Sequence, residues 1–289
     1  MPVYNREKRI NRTSGRLAVA ACVLGLLAVR AHAQAPGLGG SVELVDPKVL
    51  RVCADPRSLP FSNEAHEGFE DKLAELFAQK LGKTVEYTYY PRAVGFVRNT
   101  LNVLKCDVVM GDAQGDDLVQ TTNPYYHAFY ALVVRSGTGL DDVQSLADPR
   151  LKGKHIGLVA GTPPATIMAD NGLIGDARPF PLMVDTRYDA PSKAMIDEIV
   201  SGAIDAGILW GPIGGYYAKH ASTPLTVIPL VHEHGATMDF RISMGVRHSD
   251  QDWKRTLNRL IAENQDGINK ILIEYGIPIV DEEGKAIRQ

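Results

Sequence analysis

A pattern of apolar and polar positions occurs twice along this chain of 289 residues. Residues 93–113 and 191–212 each predict an amphipathic helix, a sharp stop, a buried strand and a closing glycine. Asp107 and Asp205 stand at the strand entrances, and Gly111 and Gly211 stand at the exits, where we expect loops to begin. Two such α/β units predict two lobes that face each other across a cleft. This arrangement favours binding, because ligands of α/β sheets lie at the carboxyl ends of the strands.

The first lobe is predicted to follow the order β-α-β-α-β. Apolar residues at helical spacing predict one helix over residues 69–81, which stops at Gly82, and a second helix over residues 94–104. Strands are predicted over residues 49–54, 85–89 and 108–110. This alternation predicts a largely parallel sheet with right-handed crossovers.

The same pattern predicts that one lobe contains both ends of the folded chain. A strand over residues 129–135 leads into a Gly/Ser stretch, where we expect the chain to cross, and a strand over residues 225–231 is expected to return it. The tail predicts two helices separated at Gly267. We therefore expect a signal peptide at 1–33, a flexible lead-in at 34–47, lobe 1 at 48–135 plus 231–289, and lobe 2 at 136–230.

The first 33 residues have the parts of an export signal. A basic start precedes an apolar run over residues 17–29, which is shorter than the roughly 20 residues of a membrane span. Ala31-His32-Ala33 fits a cleavage site, and a lipoprotein anchored at Cys22 is the alternative. Cleavage after Ala33 predicts an exported periplasmic protein, and no other segment is apolar enough to span a bilayer.

Removal of the signal changes the charge balance. The first 33 residues carry six basic residues and one acidic residue, so 25 basic and 33 acidic residues remain, a net charge of −8. A negative surface argues against nucleic acid and anionic membranes as partners.

Two cysteines remain after cleavage, Cys53 and Cys106. An even pair in an oxidising compartment predicts a disulfide, and both residues lie at the edges of strands that can be neighbours in a parallel sheet. Two buried thiols are the alternative. The sequence has no C-x-x-C motif, which argues against a redox-active pair.

Four segments, in order, resemble type II periplasmic solute-binding proteins over nearly the whole mature sequence. They are LRVCADPRSLPFSN from Leu50, GFEDKLAELFAQKLGKTVEY from Gly68, TNPYY from Thr122 and LKGKHIGLVAGTPP from Leu151. The resemblance implies an α/β fold of two lobes, each a mostly parallel sheet flanked by helices, with a cleft between them.

Two residues that usually bind amino acid ligands in this fold are missing. Amino-acid binders of this fold usually carry an arginine shortly before the NPYY-like segment and an aspartate at the end of the last strand of lobe 2. Residues 111–120 contain no arginine, and residues 209–212 contain no aspartate. These departures imply that the ligand is not an α-amino acid.

Residues 106–117 and 205–221 resemble a narrower group, the MxaJ and XoxJ proteins of methylotrophic bacteria. The resemblance implies a periplasmic accessory protein for the activation, maturation or assembly of a PQQ-dependent methanol dehydrogenase. Of these two proteins we favour XoxJ, the partner of the lanthanide-dependent enzyme, as the nearer match. The dehydrogenase and its cytochrome c are the implied partners, and no cofactor is expected on this chain. A transporter-type receptor for a small solute other than an amino acid is the alternative.

The sequence contains no catalytic constellation, although some members of this fold are small dehydratases. It has no G-x-S-x-G, H-E-x-x-H, P-loop or dinucleotide motif, so we predict that the chain is not an enzyme. His232 and His234 would point the same way on an extended segment. They have no third ligand at matching spacing, so no metal site is predicted.

Candidate binding residues lie at strand and helix ends. Trp210 ends a strand and is a ligand platform, a partner anchor or part of the core; aromatic anchors often dominate interfaces. Thr162 fits a helix N-cap, beside backbone N–H groups that can hold an anion. The candidate cleft and partner-binding residues are Phe61, Asp112, Tyr125, Thr162, Trp210 and Tyr216.

Overall fold

The computed structural model describes residues 43–280 except residues 183, 186 and 187. The expected signal peptide and most of the lead-in lie outside the described residues, as do residues 281–289. The strands are β1 (Val49–Ala54), β2 (Arg57–Ser58), β3 (Ser62–Asn63), β4 (Thr84–Tyr89), β5 (Val108–Ala113), β6 (Gln120–Thr121), β7 (Tyr126–Arg135), β8 (Ile156–Val159), β9 (Ala177–Phe180), β10 (Ala206–Trp210), β11 (Leu225–Pro229) and β12 (Asp239–Val246). The α-helices are α1 (Phe69–Leu81), α2 (Phe96–Asn99), α3 (Pro164–Asp170), α4 (Pro191–Ser201), α5 (Gly211–His220), α6 (Gln251–Glu263) and α7 (Gln265–Glu274). Short 3₁₀ turns occupy Leu101–Val103, Pro149–Leu151 and Ile174–Asp176. None of these helices is long and apolar enough to cross a membrane.

The strands form two α/β lobes that share β7. In lobe 1, β4, β1 and β5 pair in parallel, and β12 pairs antiparallel with β5. In lobe 2, β9, β8 and β10 pair in parallel, and β10 and β11 pair antiparallel with β7. Residues 126–129 of β7 pair with β12, whereas residues 130–135 pair with β10 or β11. The chain therefore passes between the lobes along β7, and the domain boundaries expected from the sequence stay a prediction.

The repeated sequence pattern corresponds to a repeated strand arrangement. β5 runs parallel to β1, and β10 runs parallel to β8. The main-chain N–H of Asp107 donates to the Arg51 carbonyl at 2.7 Å, and that of Asp205 donates to the His155 carbonyl at 2.9 Å. The two aspartates thus begin equivalent strands of the two lobes.

Alternation along the strands places apolar residues on both faces of each sheet. Leu50 and Val52 of β1 pack in the main core of lobe 1, together with residues of α1, α6 and α7. Cys53 faces the other side, where it packs with Phe96 and is bonded to Cys106. The Cα atoms of the two cysteines are 5.4 Å apart, so the disulfide expected from the sequence is confirmed.

The helix expected over residues 94–104 is not continuous. It is one turn, α2, followed by the 3₁₀ turn, because Thr100 leaves the helical region at φ −123° and ψ −80°. The Thr100 hydroxyl donates to the Phe96 carbonyl at 2.7 Å, while Val94 is 84% exposed. Helical spacing of apolar residues was therefore misleading here.

Two glycines that we expected at a loop or a break lie in helices instead, and of the two Gly211 is closely packed. Gly211 is the first residue of α5, and a Cβ there would lie 2.6 Å from the Phe129 carbonyl oxygen. Gly267 lies inside α7, and its nearest neighbour would be a methyl group of Leu76 at 3.4 Å. The break between α6 and α7 falls at Asn264. Gly82 does end α1, with the left-handed φ of 65° expected of a C-cap glycine.

Candidate functional site

Two neighbouring cavities lie at the carboxyl ends of β1, β5 and β10. The interlobe cavity, of about 580 Å³, lies between the β2–β3 hairpin of lobe 1 and the first turn of α4 in lobe 2. The acidic cavity, of about 490 Å³, lies against β5, α1 and β12. Both volumes are those of small-molecule sites. The residues that line both cavities are Ser58, Phe61, Tyr130, Trp210 and Ile213.

Three aromatic rings form the wall near both cavities, and we call them the aromatic trio: Tyr130, Trp210 and Phe240. Tyr130 and Trp210 are direct partners in the β7–β10 ladder, and their ring centroids are 5.2 Å apart. Trp210 lies 5.5 Å from Phe240, which lies 6.5 Å from Tyr130, all in edge-to-face geometry. Edge-to-face contacts of this kind are favourable, so the trio fixes the orientation of Trp210.

Three carboxyl groups and one guanidinium line the acidic cavity: Asp55, Glu70, Asp112 and Arg92. Asp55 accepts hydrogen bonds from two main-chain N–H groups, at 2.6 and 2.8 Å. The Arg92 guanidinium donates to the Gly111 carbonyl and lies 4.0 Å from the Asp112 carboxylate. Acidic groups therefore outnumber cationic groups among the described residues that line this cavity.

Glu70 is held directly over the backbone of β5. It is 6% exposed, and a Cβ at position 111 would collide with its Oε1, so a larger residue there would require the Glu70 carboxylate to shift. Burial raises the pKa of Glu70 to about 7, and nearby Asp112 adds to this effect while Arg92 opposes it. Burial also raises the pKa of Asp112 to about 6.

A family model describes most of this chain. Residues 50–275 match the model of the bacterial extracellular solute-binding proteins, family 3. The chain belongs to this family. It is 28% identical over 299 residues to protein MoxJ of Methylorubrum extorquens AM1, which covers 97% of this chain and 99% of MoxJ.

Two solved structures resemble this family 3 protein over most of its length. Periplasmic binding protein XoxJ from Methylobacterium extorquens AM1 has 38% identity and a TM-score of 0.70, covering 81% of this chain and all of XoxJ. MxaJ from Methylophaga aminisulfidivorans has 28% identity and a TM-score of 0.72, covering 80% of this chain and all of MxaJ. The type II fold and the resemblance to MxaJ and XoxJ are both confirmed.

Four of the six candidate residues line a cavity of this family 3 protein: Phe61, Asp112, Thr162 and Trp210. Thr162 is not the N-cap that we expected. Its hydroxyl donates to the Val159 carbonyl at 2.6 Å, and α3 begins only at Pro164, with Pro163 at the N-cap.

The other two candidates, Tyr125 and Tyr216, line neither cavity. Tyr125 is 2% exposed, and its hydroxyl donates to the Met110 carbonyl at 2.6 Å, whereas its neighbour Tyr126 lines the acidic cavity. Tyr216 packs against α7, and its neighbour Tyr217 lines the interlobe cavity. In both cases the next residue along the chain, Tyr126 or Tyr217, lines a cavity instead.

The described residues contain no group of three or more His, Cys, Asp or Glu that is placed to hold a metal ion. In the segment 232–234, the Glu233 carboxylate instead accepts a hydrogen bond from the Leu146 main-chain N–H at 2.6 Å. This contact attaches the segment to the surface of lobe 2.

Three cavity residues carry no motif that marks them in the sequence: Glu70, Arg92 and Phe240. Glu70 lies in the first turn of α1, where an acidic residue is expected for the helix alone. Its burial depends on Gly111, which is 41 residues away in the numbering. No local pattern therefore marks it as a cavity residue.

Proposed function

We propose that this protein is a periplasmic accessory protein of a PQQ-dependent methanol dehydrogenase, for which it acts in activation, maturation or assembly through protein binding. Similarity to MoxJ along 99% of that protein carries the proposal. Identity is higher with XoxJ, at 38%, than with MxaJ, at 28%, which favours the lanthanide-dependent enzyme as the partner. The cytochrome c of that system is a further candidate partner, and the chain itself acts without catalysis.

The cleft supports a role other than amino acid uptake. Trp210 stands where amino-acid binders carry an aspartate, and Arg92 already contacts the Gly111 carbonyl and Asp112. Trp210 and Phe61 border both cavities, and aromatic residues in such positions are common interface anchors. The mature net charge of −8 would steer the protein toward a basic partner surface, an effect that salt weakens.

The test uses the purified dehydrogenase with wild-type protein and the Trp210→Ala variant. We expect the variant to bind the dehydrogenase at least about tenfold more weakly and to activate it less, because a central aromatic anchor is lost. Binding should also weaken between low and moderate ionic strength. Circular dichroism checks that the fold is intact. Tyr216→Ala is the matched variant, because it removes an aromatic ring from the other face of α5.

The two variants separate the possible contact surfaces. Loss of binding with Tyr216→Ala alone would move the partner surface from the cleft to the α5–α7 face. If the wild-type protein neither binds nor activates the dehydrogenase at any ratio, the accessory role is refuted.

The two cavities favour a second candidate, a transporter-type receptor for a small solute that is not an amino acid, since both have the size of ligand sites. Co-purification from the native host distinguishes the two candidates. A dehydrogenase in the purified complex supports the first, and permease subunits support the second.

A further inference from the structure

The acidic cavity carries a surplus of negative charge. Among the described residues, Asp55, Glu70 and Asp112 line it together with one cation, Arg92. The first turn of α1 adds a positive contribution of about half a charge. When Glu70 and Asp112 are ionised, these two charges exceed Arg92 and the helix contribution by about half a negative charge, with Asp55 left out of the count. A cavity of this kind disfavours anions and attracts a cation.

Glu70 is the unpartnered group of this cavity. It is 6% exposed, and no residue that the structure describes donates a hydrogen bond to its carboxylate. Asp55, in contrast, receives two main-chain hydrogen bonds, and Asp112 receives one from the Ala113 N–H at 3.0 Å. The Glu70 oxygens are not among the fully enclosed unpaired atoms of the described residues, so the carboxylate is open to the cavity, where a bound cation could supply the missing partner.

The remaining walls are aromatic and apolar. Tyr126 and Ile242 border the cavity, as does the aromatic trio. Aromatic rings attract alkylammonium groups, most strongly where water is excluded. A metal ion is a poorer match, because no group of three carboxylates or histidines among the described residues is placed to hold one.

We propose that the acidic cavity binds a small organic ammonium cation that carries no carboxylate group. Glu70 and Asp112 supply the countercharge, and the rings of Tyr126, Trp210 and Phe240 cover the alkyl groups. A carboxylate on the ligand would face the surplus negative charge, so zwitterions are rejected. This site belongs to the chain itself, and its occupation does not depend on the dehydrogenase.

The experiment compares three ligands of similar shape by isothermal titration calorimetry at pH 8 and low salt. Choline has the quaternary ammonium alone, 3,3-dimethyl-1-butanol replaces its nitrogen with carbon, and betaine adds a carboxylate. We expect choline to bind at least about tenfold more tightly than either of the others, because only choline satisfies the charge. Methylammonium chloride serves as a smaller cation probe.

Two variants assign the binding to this cavity. Glu70→Gln should weaken choline binding at least about tenfold, since it removes the buried countercharge while keeping the shape. Asp112→Asn provides a second test if Glu70→Gln alters the fold. Asp189→Asn is the control, because Asp189 lines only the interlobe cavity and the change in net charge is the same.

Three results would overturn the proposal: no heat from choline or methylammonium up to about 10 mM, equal binding of choline and its neutral analogue, or unchanged binding in both cavity variants.

Discussion

Asp107 and Asp205 occupy the same place in the sequence repeat, yet their surroundings differ. Asp107 is buried and pairs with Arg51 at 2.7 Å and Arg247 at 2.6 Å. Asp205 keeps about a third of its side chain exposed beside Lys154 at 3.6 Å. The sequence pattern correctly predicted that both residues begin buried strands. It contained no information about the arginines, which come from positions 56 residues before and 140 residues after Asp107.

Glu70 makes the stability of the protein depend on pH. Burial raises its pKa to about 7 from the usual 4.5, and Arg92, Asp71, Asp112 and Asp55 face it. Between pH 4.5 and about 7, Glu70 therefore stays protonated in the folded protein, whereas in the unfolded chain it has already released its proton. The resulting stability is complete below pH 4.5 and is lost as the pH rises through about 7.

We expect Glu70→Gln to remove this loss, because an amide does not ionise. The free energy of unfolding of the variant, relative to wild type, should rise by roughly 2 kcal/mol between pH 5 and pH 8. Urea denaturation at the two pH values measures it. A difference that stays constant with pH would show that Glu70 does not titrate as a buried acid. The same variant is expected to weaken choline binding. Ionised Glu70 therefore favours binding of the cation but lowers the free energy of unfolding.

At the scale of elements, the regular segments could be predicted and the short ones could not. The periodicity of α1 gave its bounds, because a long amphipathic helix packs on one face only. The segment over residues 94–104 has a similar apolar spacing, but tertiary contacts around the Cys53–Cys106 disulfide override it. Gly211 and Gly267 mark neither a loop nor a break, since Gly211 begins α5 next to the Phe129 carbonyl and Gly267 lies inside α7.

The disulfide fastens that short segment to β1. We expect the double variant Cys53→Ser with Cys106→Ser to lose about 2–4 kcal/mol of unfolding free energy, because the loop between the cysteines spans 53 residues and is no longer constrained. Hydrogen exchange should increase first in α2 and the adjoining 3₁₀ turn.

Reductant provides the control for this loss. Wild-type protein treated with dithiothreitol should fall to the stability of the double variant, whose own stability should not respond. Equal stability of wild type and variant without reductant would contradict the prediction.

At the scale of the whole molecule, the fold and the position of the cleft follow from the order of elements, but the charge of the cleft does not. The acidic cavity is assembled from residues 55, 70, 92, 112 and 240, which belong to different elements. Trp210 could be found because it ends a strand, and Asp112 because it lies close to the end of one. Glu70 and Arg92 could not, because their meeting depends on how α1 and the chain after β4 pack on the sheet.

The assembled cleft predicts that common amino acids do not bind. An α-carboxylate would enter a region with three acidic groups and one arginine that is already engaged. Calorimetry with arginine, glutamine and the other common amino acids should therefore give no heat of binding. A micromolar dissociation constant for any of them would contradict this expectation and favour the receptor function.

The sharing of β7 has a mechanical consequence. Phe129 is paired with Asp239 in one sheet, and the next residue, Tyr130, is paired with Trp210 in the other. One of the connections between the lobes is thus a hydrogen-bonded strand, and any rotation between the lobes must twist β7 at this step. The aromatic trio lies at this step of β7, so even a small rotation between the lobes changes the contacts between its rings. The chain has two tryptophans, and Trp253 is 5% exposed in the core of lobe 1. A change in tryptophan fluorescence on rotation of the lobes should therefore come from Trp210.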